Sequence, residues 1–275
     1  MSVVSADLMK NNIALIFKAT RRFHGLQQTE FSAILGITQG TISKIESATM
    51  TTELELWFRF LEAFKINNPF SCYFGGFELP ANSFLALEKG KSELAPEYSI
   101  QQKEIFQIKH IRPLYEYLQK KQLTPLETFL KEKKIRPEIF SILNHPISLK
   151  FIEDFFTFVS SCKIPFDAPG ALSFDFHDTF LGNEDKFRNE IGGIYDSWSD
   201  LVEPFDIKIN SKSGQYRFSL KKRAHVEISK LNNSLQLTKY LASAPYWKLK
   251  YLGKTSSSMP VLKFDEKFKE ALVSF

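Results

Sequence analysis

Between Asn12 and about Ile66 the apolar residues recur at helical spacing in four bursts. They are Ile13, Ile16, Phe17 and Phe23, then Phe31, Ile34 and Leu35, then Ile42 and Ile45, and last Leu54, Trp57, Leu61 and Phe64. The gaps between bursts carry their own signals. Gly25 and Gly36 permit turns, Thr38 is a suitable N-cap, and Thr52 with Glu55 three residues on matches a capping box. Asn67, Asn68 and Pro69 close the last burst, so four short helices are predicted.

The stretch from Gly75 to Pro96 mixes Gly, Pro, Asn and Ser with charge and has no sustained apolar period. It places a linker over residues 76–97, between an all-α domain over 1–75 and a second domain over 98–275. In that second domain, residues from about Gln101 to Phe140 and from Leu149 to Ser160 read as helices, with Pro113 and Pro125 at first-turn or break positions. Ile207 and Ile209, then Tyr216, Phe218 and Leu220, alternate around Ser211-Lys212-Ser213-Gly214, a hairpin signal. Trp247, Leu249, Tyr251 and Val261 suggest a second strand pair, Val226 to Leu241 a helix between the hairpins, and Asp265 to Val273 a closing amphipathic stretch. The C-terminal class is therefore α+β, with a helical first part and antiparallel hairpins.

The run from Leu26 to Glu46, LQQTEFSAILGITQGTISKIE, carries the most specific signal. Phe31, Leu35, Ile37, Ile42 and Ile45 are spaced to let two helices crossing steeply bury their apolar sides against each other and against Ile16, Phe17, Leu54, Trp57 and Leu61. Ser32 is small enough for a close helix approach, and Gly36 sits where a left-handed turn would strain any residue with a Cβ.

Over about residues 10–75 this pattern resembles the Cro/XRE, lambda-repressor-like helix-turn-helix family. The resemblance makes residues 38–46 a recognition helix whose N-terminal end enters the major groove of double-stranded DNA. It implies that Gln39 reads adenine, that Gln28 binds phosphate and braces Gln39, and that Thr38, Gly40, Thr41, Ser43 and Lys44 complete the DNA-facing set. It also implies that Arg21 and Glu46 form a partly buried pair tying the first helix to the third. Three positions depart from the pattern. Gln27 replaces the usual Ser or Thr cap, Gly40 puts no side chain at a reading position, and the loop from Ser47 to Thr51 lacks the usual Asn-Gly and basic residues.

Composition narrows the remaining choices. With 43% apolar residues the chain can bury a sizeable core, and its formal charge of +5 is compatible with DNA without demanding it. Up to residue 70 the basic residues are nearly balanced by acids, so DNA contacts there depend on local placement. The basic runs Lys120 to Arg136 and Lys208 to Arg223 read as solvated faces. Cys72 and Cys162 lack CxxC spacing, and no segment has the run of about 18 apolar residues that a membrane span needs, so a cytoplasmic protein without disulfides or zinc is expected.

No nucleotide-binding, metalloprotease or serine-hydrolase motif occurs, and the five histidines are dispersed. Asp175, His177, Asp178 and Glu184 are read as solvated loop residues, and no enzyme, cofactor or metal is expected. The phenylalanines Phe151, Phe155, Phe156, Phe158, Phe166, Phe174, Phe176 and Phe180 read first as core, and a small apolar-ligand pocket would use the same residues. The expected function is a transcriptional regulator, a repressor, binding a pseudo-palindromic operator as a homodimer, with residues 98–275 sensing a ligand or dimerising. The alternative is an antitoxin-like or phage-type protein whose large domain binds a partner protein.

Overall fold

A computed structural model describes residues 6–68, 71–84, 98, 106–163, 205–210, 215–221, 226, 228–241, 261–264 and 270–274. The chain forms two compact units. The first comprises residues up to Gln102, Gln107–Lys109 and Leu130–Pro146, and the second comprises Lys103–Phe106, His110–Phe129 and Ile147–Phe275.

The first unit contains α1 (Ala6–Phe23), α2 (Gln28–Leu35), α3 (Gln39–Glu46), α4 (Leu54–Ala63), the single turn α5 (Ser71–Phe74) and a 3-10 turn at Pro137–Ser141. The four expected helices are present, and α1 begins six residues ahead of Asn12. Their core is largely aromatic. Phe17 stacks on Phe60 with centroids 4.3 Å apart, and Phe31, Trp57 and Phe64 each lie within 6.2 Å of the Phe60 ring. Such pairs add about 0.5 to 1.5 kcal/mol each beyond the area they bury.

Two expectations about α4 are corrected. Leu54 is 71% exposed rather than in the core, because it is the first helical residue and projects past the packed stripe of Trp57, Phe60, Leu61 and Phe64. The N-cap is Glu53, and Thr52 donates its hydroxyl to the Glu53 carbonyl at 3.1 Å in place of capping the helix.

The unit reaches past residue 75, where the boundary was expected. Phe77, Leu79 and Ile142 join the same core, with Phe77 fully buried. The Phe77 N–H donates to the Ser141 carbonyl at 2.9 Å, and the Leu143 N–H donates back to the Phe77 carbonyl at 2.8 Å. The amide of Asn144 clamps Leu79, accepting from its N–H at 3.0 Å and donating to its carbonyl at 2.7 Å. Phe77 and Leu79 show no local period because their partners lie about 65 residues away, so their burial comes from tertiary pairing.

Three helices of the chain's middle part follow: α6 (Ile108–Lys121), α7 (Leu123–Glu132) and α8 (Leu149–Ser161). Pro125 sits in the first turn of α7, as expected, whereas Pro113 lies inside α6. There it removes one intrahelical hydrogen bond without ending the helix. The two-residue strands β1 (Phe106–Gln107) and β2 (Pro146–Ile147) fall where the chain passes from one unit to the other.

In the second unit Ser148 caps α8, its hydroxyl accepting from the Phe151 N–H at 3.2 Å, and α8 buries Phe151, Ile152, Phe155, Phe156 and Val159. Phe129 stacks on Phe158 at 4.5 Å and Phe156 meets Tyr240 edge-on at 5.8 Å. Residues 234–241 are helical, inside the expected span, and Asn232 and Asn233 donate to Glu153 and Thr157 of α8.

A four-stranded antiparallel sheet completes the unit: β3 (Phe205–Asn210), β4 (Gln215–Leu220), β5 (Val261–Phe264) and β6 (Glu270–Ser274), in the order β3-β4-β6-β5. The expected hairpin forms with Ile207 opposite Phe218 and Ile209 opposite Tyr216. The stretch expected to close the chain is in fact a central strand, β6, paired to β4 on one side and β5 on the other. Trp247, Leu249 and Tyr251, the partners expected for Val261, lie outside the described residues, and so do Phe166, Phe174, Phe176, Phe180 and the Asp175 to Glu184 cluster.

Candidate nucleic-acid interface

The α2-turn-α3 segment is built from local chemistry. Gln27 takes the N-cap position, and the Glu30 carboxylate accepts from its backbone N–H at 2.7 Å in a capping-box arrangement. Glu30 therefore offsets part of the weakness expected from the missing Ser or Thr. Gly36 ends α2 with φ +64, a left-handed conformation that suits glycine. Its N–H and that of Ile37 return to the carbonyls of Ala33 and Ser32.

From α4, Arg59 donates to the Leu35 carbonyl at 2.9 Å, placing a cation on the negative end of α2, and its other nitrogen holds Glu55 at 2.6 Å. Sequence reasoning missed Arg59; no spacing rule links it to a carbonyl 24 residues earlier. At the start of α3 the Thr38 hydroxyl accepts from the Thr41 N–H at 3.1 Å and pairs with the Thr41 hydroxyl at 2.9 Å.

Four polar side chains then form a continuous relay. Arg21 grips Glu46 with two parallel bonds, Nε to Oε1 at 2.6 Å and Nη2 to Oε2 at 2.8 Å, and its Nη1 donates to the Leu26 carbonyl at 3.0 Å. The amide nitrogen of Gln28 donates to Glu46 Oε2 at 3.0 Å, and its amide oxygen accepts from Gln39 Nε2 at 2.6 Å. The pair at the root is largely withdrawn from water, with 13% of the Arg21 side chain and 5% of the Glu46 side chain exposed. Exposure increases along the relay: Gln28 is half-buried and Gln39 is on the surface. Thr38, Gly40, Ser43 and Lys44 are exposed beside Gln39, and Thr41 is half-buried.

Gly40 has an ordinary helical φ, and a Cβ added there would meet nothing nearer than the Thr38 hydroxyl at 3.8 Å. The fold does not require glycine at this position. In the loop after α3, Ala48 takes φ +54 and the hydroxyls of Ser47 and Thr49 both donate to the Lys44 carbonyl. These bonds close the end of α3 without the Asn-Gly pair that the family usually carries.

The family model described as Helix-turn-helix, of the Cro/C1 type, matches residues 18–67. Those residues are a Cro/C1-type helix-turn-helix. The match takes in the relay, the Gly36 turn and α4, and it makes the N-terminal unit that of a DNA-binding regulator with double-stranded DNA as its partner. No curated protein and no solved structure matches the chain. Among the described residues no helix is long and apolar enough to cross a membrane, and no group of His, Cys, Asp and Glu is placed to hold a metal ion.

Proposed function

We propose that the protein is a cytoplasmic transcriptional repressor that reads a pseudo-palindromic operator through residues 38–46 of each copy in a homodimer. The observation that carries this reading is the relay from Arg21 through Glu46 and Gln28 to Gln39. A primary amide has two N–H groups and a carbonyl. With one N–H given to Gln28, Gln39 keeps a donor and an acceptor, the pair needed to bond adenine N7 and N6 together. The relay fixes the orientation of that amide before DNA arrives, so less side-chain entropy is lost on binding.

Gln28 and the α2 N-terminus suit a phosphate beside the groove. Ser43 and Lys44 would add phosphate or base-edge contacts, and Gly40 would let the helix backbone approach the bases closely. Pairing of two copies follows from size, since one helix-turn-helix buries limited DNA surface and two-fold symmetry matches half-sites about one helical turn apart. The C-terminal unit is proposed to supply that pairing, and a small apolar ligand or a partner protein bound there would alter it. The described phenylalanines Phe129, Phe155 and Phe158 pack on one another, which favours a core role for them.

The test is selection by the full chain from a pool of randomised duplexes, followed by sedimentation with the winning duplex. Two related half-sites, two chains per duplex and reduced transcription from a promoter overlapping the site are expected. A single asymmetric site with one chain bound, or no enrichment, would overturn the reading.

A further inference from the structure

Glu138 lies in the 3-10 turn Pro137–Ser141, far from the helix-turn-helix in sequence. Its side chain is only 9% exposed, and Oε1 takes both Lys18 Nζ at 2.9 Å and Arg22 Nη1 at 2.6 Å. Lys18 and Arg22 are one turn apart on α1, and Arg22 is next to Arg21, the root of the relay. On the same stretch Ile142 enters the helix-turn-helix core, Asn144 clamps Leu79, and the His145 ring sits edge-on between Phe23 at 6.1 Å and Phe84 at 5.8 Å. Residues 130–146 thus complete the N-terminal unit, while the chain on either side, 110–129 and 147 onward, belongs to the second unit.

We infer that Glu138 is a positioning residue for DNA recognition: from a turn more than 110 residues away in sequence it holds the C-terminal turn of α1, and with it Arg21 and the Gln28–Gln39 pair. The inference rests on the DNA-reading role of Gln39. Its physical basis is that α1 carries two linkages on adjacent residues. Arg22 is held by Glu138 on one side, and Arg21 holds Glu46 of α3 on the other. Without the Glu138 charge, two cations one turn apart are left facing each other in a partly buried place, and the last turn of α1 must move to separate or hydrate them. Arg21 moves with that turn, and the bidentate geometry to Glu46 tolerates little displacement.

The experiment compares the full-length chain with Glu138→Gln and with Ile142→Val. The second change loosens the same core by one methylene group and leaves the charges alone. Each is measured for affinity on the duplex selected by the natural chain and on random duplex, and for amide hydrogen exchange in α3. Glu138→Gln is expected to lower the selected-to-random ratio about tenfold and to speed exchange across Gln39–Glu46, whereas Ile142→Val leaves the ratio within about twofold. An unchanged ratio with unchanged α3 exchange in Glu138→Gln, or an equal fall in both variants, would overturn the inference and leave Glu138 a stabilising contact only. Should Glu138→Gln not fold, Arg22→Gln, which removes the α1 end of the same linkage, is read the same way. A natural chain that shows no preference for its selected duplex contradicts the Gln39 reading instead, so the two failures are distinguishable.

Discussion

Replacing Arg21 with methionine removes the guanidinium while keeping most of its apolar stem. Glu46, only 5% exposed, would then keep its bond from Gln28, and the Leu26 carbonyl would lose the one from Arg21. Breaking a buried pair from one side costs about 3 to 5 kcal/mol, against about 0 to 1 for an exposed pair. The Gln28 bond and the partial exposure of Arg21 place this case at the lower end, about 3 kcal/mol. In a unit of roughly 120 residues that corresponds to a fall in Tm of about 10 °C. The double change Arg21→Met with Glu46→Leu removes both charges and should recover about half of the loss, since the Leu26 carbonyl stays without its Arg21 donor and the Gln28 amide nitrogen loses Glu46. Lys10→Met is the control, because Lys10 lies 4.0 Å from an Asp7 that is 90% exposed. Thermal melts of the full chain followed by circular dichroism decide the matter. If Arg21→Met melts no lower than Lys10→Met, or the double variant melts lower still, the relay has no buried root.

A fragment ending at residue 75 loses Phe77, Leu79 and Ile142 from its core. At about 1.5 to 3 kcal/mol per buried side chain this rivals the whole stability of a small domain, so the fragment should melt far below the full chain, and equal melting would refute the shared core. Burial lowers the His145 pKa from 6.5 to about 4, so the unfolded chain binds its proton first. Stability should therefore fall by about 3 kcal/mol as pH drops from 6.5 to 4, and denaturant titrations of His145→Gln should show a flatter profile over that window. For Glu138, burial raises the carboxyl pKa, but the Lys18 hydrogen bond, its own backbone and the nearby cations outweigh that and leave it below the ordinary value. Its contribution is present above about pH 4.5 and is lost as pH falls through the lowered value. Gly40→Ala meets no clash and should stabilise the head by about 0.5 to 1 kcal/mol, while weakening binding to the selected duplex if the backbone approaches DNA there.

The helix-turn-helix was legible because its determinants are local: a left-handed Gly36, a Thr38 cap and apolar residues at fixed offsets. The relay geometry was legible only through family resemblance, since nothing in spacing alone brings Arg21 to Glu46 or Gln28 to Gln39. In α4 the apolar pattern points to Leu54 as core, whereas the buried residue is Phe60. The run Trp57, Phe60, Leu61, Phe64 has the i, i+3, i+4, i+7 spacing that would have found it. Glu138 left no such trace, because its partners Lys18 and Arg22 lie more than 110 residues away and a lone acid in a basic stretch reads as surface. For β6, a short alternating segment suits a helix end or a strand equally, and its two neighbouring strands decided the outcome.

The most direct test of the central claim is a competition assay on the full chain with Gln28→Ala and Gln39→Ala together. The selected duplex is set against random duplex at one fixed salt concentration, since phosphate contacts make both affinities depend on salt. The account predicts that binding to the selected duplex weakens by about 1 to 3 kcal/mol while binding to random DNA changes little. Equal losses on both duplexes would show that residues 38–46 do not read bases.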